Sequence, residues 1–276
     1  MNNNERINQI VKTLRKRTEE NKLNYYKPYP FQKRFHETGL EANQRLLMAA
    51  NRVGKSYVGA MEMSIHATGL YPDWWKGKRF DKPIKAWVCG ASNETTRDIC
   101  QKELFGQPDN PTDKGKGSIP KHLLGDFVRK PGVPNAYSSV MVKHVTGGWS
   151  RIGFKAYEMG AEKFMGESID LVWLDEEPSQ EIYSQCITRT LDREGTVYLT
   201  FTPESGMTEV VQNFTSNLRP KQALITASWE DANHLTEDMK EQILGALPPH
   251  ERELRSKGVP LIGSGLVLPI DEDSLV

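Results

Sequence analysis

At 276 residues the chain is long enough to bury a core of one large domain or two small ones without disulfide or metal staples. Its 36 Lys and Arg balance 36 Asp and Glu, which excludes bulk basic charge as the means of holding a polyanion and leaves only local patches. Three scattered cysteines exclude a disulfide framework, and a mean hydropathy of −0.59 without an apolar run of membrane-spanning length excludes a transmembrane helix.

In chain order, Ile7, Ile10, Val11 and Leu14 recur at helical spacing and predict an amphipathic helix over 5–20, broken by the prolines of YYKPYP at 25–30. A second helix is expected over 31–38. The apolar run RLLMAA (45–50), a glycine turn and a helical stretch over 56–68 read as strand, loop, helix. KAWVCGA (85–91) reads as a buried strand, followed by a helix over 93–104 capped at Ser92 or Asn93. The Gly-, Pro- and Asp-rich segment 106–121 is expected to be a mobile loop. Segments 139–145 and 150–156, joined at Gly147-Gly148, predict a β-hairpin. LVWL (171–174), TVYLTF (196–201) and QALITAS (222–228) read as strands, 179–190 as a helix, and 236–244 and 249–256 as two small helices. Strands separated by helices predict an α/β fold with a mostly parallel sheet. The expected division is a core over 1–228, a small helical lid over 229–258 and a linker over 259–276.

Ala49-Ala50-Asn51-Arg52-Val53-Gly54-Lys55-Ser56 matches the last three positions of the phosphate-loop pattern G-x-x-x-x-G-K-[ST], with Ala49 in place of the first glycine. Gly54 lets backbone approach a phosphate, and the N–H groups around Val53, Gly54, Lys55, Ser56 and Tyr57 open a helix. Lys55 is placed for the outer phosphates and Ser56 for magnesium. A chance Gly-Lys-Ser turn is the alternative. Further on, Asp175 and Glu176 end an apolar strand, expected to neighbour that of the phosphate loop. They suit a magnesium aspartate and a base for the attacking water, and a solvated helix cap is the bland reading. Glu177 is expected to act as a helix-start acid. Thr200 and Thr202 lie on one face of a strand end turned by Pro203. Gln32, beside the aromatics of 25–31, carries an amide that both donates and accepts, as adenine recognition needs; packing alone is the alternative.

These residues in this order (aromatic-Pro-Phe-Gln, A-x-N-R-x-G-K-S, W-L-D-E-E-P, T-F-T-P) resemble the ATPase domain of the large terminase subunit of tailed double-stranded DNA phages. The resemblance covers roughly residues 28–269. It implies a P-loop NTPase of the ASCE type that hydrolyses ATP with Mg2+ to move double-stranded DNA, independent of sequence, into a procapsid in the host cytoplasm. The partners implied are the portal protein, a small terminase subunit and other copies of the chain in a ring, with no membrane. By the same resemblance Gln32 reads adenine, Lys55 and Ser56 form the phosphate-loop pair, and Asp175 holds magnesium. Glu176 is catalytic, Arg52 acts on the γ-phosphate in cis, and Thr200 to Pro203 couple hydrolysis to the lid. Lys163, Arg151 and Arg129 are candidates for a trans-acting finger. The family's nuclease domain would follow the Gly-Ser-Gly at 263–265. Because the sequence ends at Val276, ATPase without nuclease activity is expected, and Asp271, Glu272 and Asp273 are expected to be solvated. Two lysine-rich stretches, Lys76 to Lys85 and Lys114 to Lys121, are candidates for DNA contact. The rival readings are a helicase-like DNA-dependent ATPase and a nucleotide-binding scaffold without turnover.

Overall fold

The computed structural model describes residues 3–260. Among them, eight strands form one sheet in the order β3-β4-β5-β2-β6-β7-β1-β8. They are β1 (Gln44–Ala49), β2 (Lys85–Gly90), β3 (Leu124–Arg129), β4 (Tyr137–Lys143), β5 (Trp149–Ala156), β6 (Leu171–Asp175), β7 (Thr196–Phe201) and β8 (Gln222–Ala227). The six strands from β5 to β8 are mutually parallel, and β4 runs antiparallel to both β3 and β5. The expected hairpin forms as β4–β5, with Val140 opposite Ile152.

Because side chains alternate across a strand, the sheet divides the core into two layers. Leu47 and Ala49 of β1, Val88 of β2 and Trp173 of β6 face one layer, shared with α3 (Pro30–Glu37) and α4 (Lys55–Thr68). Leu46, Met48, Trp87 and Val172 face the other, shared with α7 (Gln180–Leu191) and α8 (Glu209–Thr215). This is a mostly parallel sheet with helices on both faces, as expected.

The acidic strand β6 is not the immediate neighbour of the phosphate-loop strand β1, contrary to expectation; β7 lies between them. Every residue of β7 is buried, and a strand apolar on both faces needs neighbours on both edges, which a central position supplies. Segment 106–121 is also not the mobile loop expected. The N–H groups of Gly115, Ser118 and Ile119 bond the carbonyls of Phe105, Glu103 and Leu104, and Ser118 and Ile119 are fully buried. These bonds satisfy the end carbonyls of α6 (Lys102–Phe105), which otherwise have no partner. The helix expected over 93–104 runs as α5 (Asn93–Thr95), a π-helical stretch (Thr96–Gln101) and α6, with Ser92 as its cap. Among the described residues, α8 and the edge strand β3 were not anticipated.

α1 (Asn3–Glu20) forms as expected and continues through a short α2 (Lys22–Tyr25), but Ile7, Ile10, Val11 and Leu14 are all exposed. At the other end, α9 (Glu237–Ala246) and α10 (Pro249–Lys257) follow β8. Gly258, at φ +70°, abuts the end of β1 so closely that a Cβ there would fall 2.3 Å from the Ala49 carbonyl carbon. The Gly-Ser-Gly at 263–265 and the acids at 271–273 lie outside the described residues.

Candidate functional site

The site forms at the carboxyl ends of β1, β7 and β6. After β1 the chain turns through Arg52 and Gly54, both in the left-handed region (φ 64° and 90°), and enters α4 at Lys55. This turn aims the opening N–H groups of α4, which have no intrahelical acceptor, into the space beyond the sheet. Val53 is fully buried, so it contributes backbone alone. The Lys55 ammonium donates to the Ala50 carbonyl (2.8 Å) and to Thr202 Oγ1 (2.7 Å). The Ser56 hydroxyl lies 3.1 and 3.0 Å from the two carboxylate oxygens of Asp175. The phosphate-loop helix and the acidic strand therefore meet although β7 separates their strands.

β7 supplies the hydroxyls between them. Thr200 donates to Asp175 Oδ1 (2.7 Å) while accepting from the Trp173 indole N–H (2.7 Å). Thr202 lies 2.7 Å from both the Ala49 carbonyl and the Asn51 side-chain oxygen. The two threonines thus serve different partners, the aspartate and the lysine, and both are buried. Glu176 adopts φ 66°, a conformation uncommon for a residue with a side chain, and its N–H bonds the Thr200 carbonyl (3.1 Å). Glu177, expected only as a helix-start acid, instead accepts a hydrogen bond from the Thr208 hydroxyl that caps α8.

Burial acts on every charge here. It pushes the Asp175 carboxyl up to about 7, with the Glu176 charge adding to the rise and the Thr200 and Ser56 hydrogen bonds opposing it. Glu176 is raised as well, mainly by burial. Lys55 is lowered to about 8 by burial, against the pull of Glu176 and Asp175. A cluster held this far from comfortable ionisation is poised for counter-charges that relieve it. A hard divalent cation fits the donor set of one hydroxyl and one carboxylate. A phosphate fits Lys55 and the open N–H groups.

Gln32 is buried on α3, and its Oε1 accepts from the Tyr29 N–H (2.9 Å). Its Nε2 faces the loop, 3.4 Å from where a Cβ on Gly54 would sit. Tyr57 packs edge-on against Tyr26, with ring centroids 5.6 Å apart. Asn51 is occupied: its N–H donates to the Arg255 carbonyl (3.0 Å), and its carbonyl accepts the Trp229 indole N–H (2.8 Å). Arg52 is exposed and has no ion-pair partner among the described residues; its carbonyl accepts from His234 Nε2 (2.9 Å). Of the finger candidates, Arg151 is the third residue of β5, toward the end of the sheet away from the carboxylates, with its Nη1 3.5 Å from Glu167. Arg129 ends the edge strand β3, and Lys163 is exposed on the turn Ala161–Phe164. None of the three contacts Lys55, Asp175 or Glu176 among the described residues.

Several residues of the site were missed by sequence reasoning. The Tyr157 hydroxyl lies 3.0 Å from the carbonyls of both Asp175 and Glu176, and the buried Cys100 thiol faces Asp175 Oδ2 at 3.7 Å. Arg255 pairs with Glu204, two residues past Thr202. Only fold order brings these groups together, and no local spacing marks them.

Known proteins resemble this chain in sequence and in fold. A family model described as terminase large subunit, T4likevirus-type, N-terminal, matches residues 46–273. The terminase large subunit of Salmonella phage P22 is 38% identical over 267 residues, covering 91% of this chain and 54% of the relative. The chain thus spans about half the length of that curated relative. The large terminase ATPase domain of Thermus phage P74-26 superposes with a TM-score of 0.58 at 17% identity, covering 87% of this chain and 96% of that one. The large terminase of a thermophilic bacteriophage, in complex with ADP, gives 0.60 at 10% identity, covering 84% of this chain and 52% of that one. At such identities these two likenesses show the fold.

Proposed function

The chain belongs to the terminase large-subunit family, and from that premise we propose that it is the ATP-hydrolysing part of a motor that drives double-stranded DNA into a viral procapsid. The observation that supports this most is the meeting of Lys55, Ser56, Thr200, Asp175 and Glu176 around one space at the sheet's carboxyl edge. Lys55 exchanges its internal acceptors, Ala50 and Thr202, for the outer phosphates of ATP, and the open N–H groups of α4 hold the same phosphates. Ser56 and Asp175 are the residues that would hold magnesium, which when bound screens phosphate charge. Glu176, its carboxyl raised mainly by burial and free of a side-chain hydrogen bond among the described residues, takes the proton of the attacking water. Arg52, exposed beside the loop, swings in to the transferring phosphoryl group. Gln32 presents its amide N–H groups toward the base.

Residues 229–258 are read as the lid. Trp229 and His234 donate to the Asn51 and Arg52 carbonyls, and the pairing of Arg255 with Glu204 ties α10 to the segment after Thr202. A change in what Thr202 and Lys55 hold therefore reaches the lid through bonded neighbours. The ring of copies, the portal and small-subunit contacts, and the placement at a procapsid in the host cytoplasm belong to the same proposal. Among the described residues no helix is long and apolar enough to cross a membrane. Steady-state phosphate release by the wild-type chain, with and without duplex DNA, tests the proposal: magnesium-dependent turnover that Lys55→Ala abolishes is expected, and turnover that survives Lys55→Ala would contradict it.

A further inference from the structure

α7 and α8 cover β6, β7 and β8 on one face of the sheet and Phe164 packs edge-on against Trp87 of β2, but beside them that face of β5 borders a trough of about 290 Å³. Its floor is made by an absence. Gly153 pairs with Trp87 across β5 and β2, and a Cβ at Gly153 would lie 3.3 Å from the indole. Cations line both ends. Lys85 and Arg151 stand at one end and share a single carboxylate, Glu167, at 3.4 and 3.5 Å. Lys130 and Lys155 stand at the other. Arg151 and Lys155 are four residues apart on one face of β5, a span of about 13 Å.

Lys130 and Lys155 are unusual in a chain whose acids and bases are equal in number. Each is partly buried, and burial lowers the pKa of both. Yet neither has a carboxylate within ion-pair distance among the described residues. The Lys155 ammonium sits 4.3 Å above the Trp87 ring and bonds the Lys163 carbonyl, and Lys130 Nζ reaches only the Met159 sulfur at 3.6 Å. Glu158 acts on Lys130 and Glu167 on Lys155 from beyond ion-pair distance. Partly buried ammonium groups without a paired carboxylate cost stability, and an anion arriving from outside offsets that cost. Of the stretches singled out in the sequence, Lys78 bonds the Glu194 carbonyl, Arg79 lies over the Tyr71 ring and Lys114 over the Phe127 ring; Lys76, Lys82 and Lys121 are exposed, and Lys85 alone of those stretches joins the trough.

We infer that the trough along β5, walled by Lys85, Arg151, Lys130 and Lys155, is the surface on which this chain holds the phosphate backbone of duplex DNA. This rests on the DNA-moving role proposed above and adds where the contact is made. A length of about 13 Å with cations at both ends suits successive phosphates better than one free phosphate, and cations that contact phosphates carry no sequence information, as transport of any sequence requires.

The test is the salt dependence of binding to a labelled duplex of random sequence. In Lys85→Gln/Lys130→Gln the slope of log affinity against log salt is expected to fall in magnitude by about 2, at roughly 0.9 for each phosphate no longer neutralised. Glu167→Gln, which frees Lys85 and Arg151, is expected to bind more tightly than wild type, an effect that damage to the fold does not imitate. An unchanged slope in the double variant, or no gain in Glu167→Gln, overturns the inference. So does loss of self-association in place of DNA binding, because the trough would then face another copy. Nucleotide binding and turnover by the wild-type chain are read separately; their failure would contradict the ATPase reading and leave the outcome of the DNA titration intact.

Discussion

Asp175 concentrates the electrostatic tension of the site. Its carboxyl is buried, bonded by Thr200 and Ser56, and still displaced upward to about 7, so burial and the neighbouring Glu176 outweigh the hydrogen bonds. The sign of the consequence follows from linkage. A carboxyl with a folded-state pKa above its unfolded value binds protons more tightly when folded, so the protein without nucleotide loses stability as pH rises from about 4 to about 7. Lys55 acts in a different window. Lowered to about 8, it destabilises the fold while charged, and that cost fades only as pH climbs from about 8 toward 10.5. Thermal midpoints between pH 5 and pH 8 are therefore expected to fall, and Asp175→Asn to flatten that fall. If the variant shows the same pH slope as wild type, the carboxyl is not the source of the tension.

Among the elements, the decisive contact is α4 against β6. Gly59 lies on α4 where a Cβ would come within 2.3 to 2.5 Å of the Trp173 indole, and the Tyr198 hydroxyl donates to the Gly59 carbonyl at 2.8 Å. This closeness brings Ser56 across β7 to Asp175. Gly59→Ala is expected to destabilise the fold by about 1–3 kcal/mol and to raise the magnesium concentration needed for half-maximal turnover. Denaturant melts and a magnesium titration read the two effects, and a variant equal to wild type in both would show that the distance is not set there. Much of this was legible beforehand, because RLLMAA, the Gly-Lys-Ser turn and LVWLDE each carry a local pattern: strand periodicity, a backbone requirement, charge at a strand end. The insertion of β7, the Gly59–Trp173 contact and the Tyr157 and Cys100 partners of Asp175 were not legible. They arise from strand order, which local spacing does not encode. β3 escaped for a related reason: LGDFVR is an edge strand with little buried surface, so its alternation is weak.

At the scale of the whole molecule, residues 229–258 hold the loop after β1 from outside through Trp229, His234, the Arg255 carbonyl and Gly258. None of Arg129, Arg151 and Lys163 reaches Asp175 or Glu176 of its own chain, and Arg52 stands exposed, so one subunit has little positive charge fixed on the transferring phosphate. Specific ATPase activity is therefore expected to rise with protein concentration as copies associate, measured by phosphate release across a dilution series. A flat profile would mean that Arg52 and Lys55 suffice.

The most direct measurement pairs nucleotide affinity with turnover in Glu176→Gln, which keeps the shape of the side chain and removes the base. With Lys55, Ser56 and Asp175 intact, the variant is expected to bind magnesium-ATP within a few-fold of wild type while kcat falls about 10²- to 10⁴-fold. Turnover at the wild-type rate would contradict the assignment of the water-activating carboxylate, and loss of binding along with turnover would show that Glu176 holds the nucleotide instead of hydrolysing it.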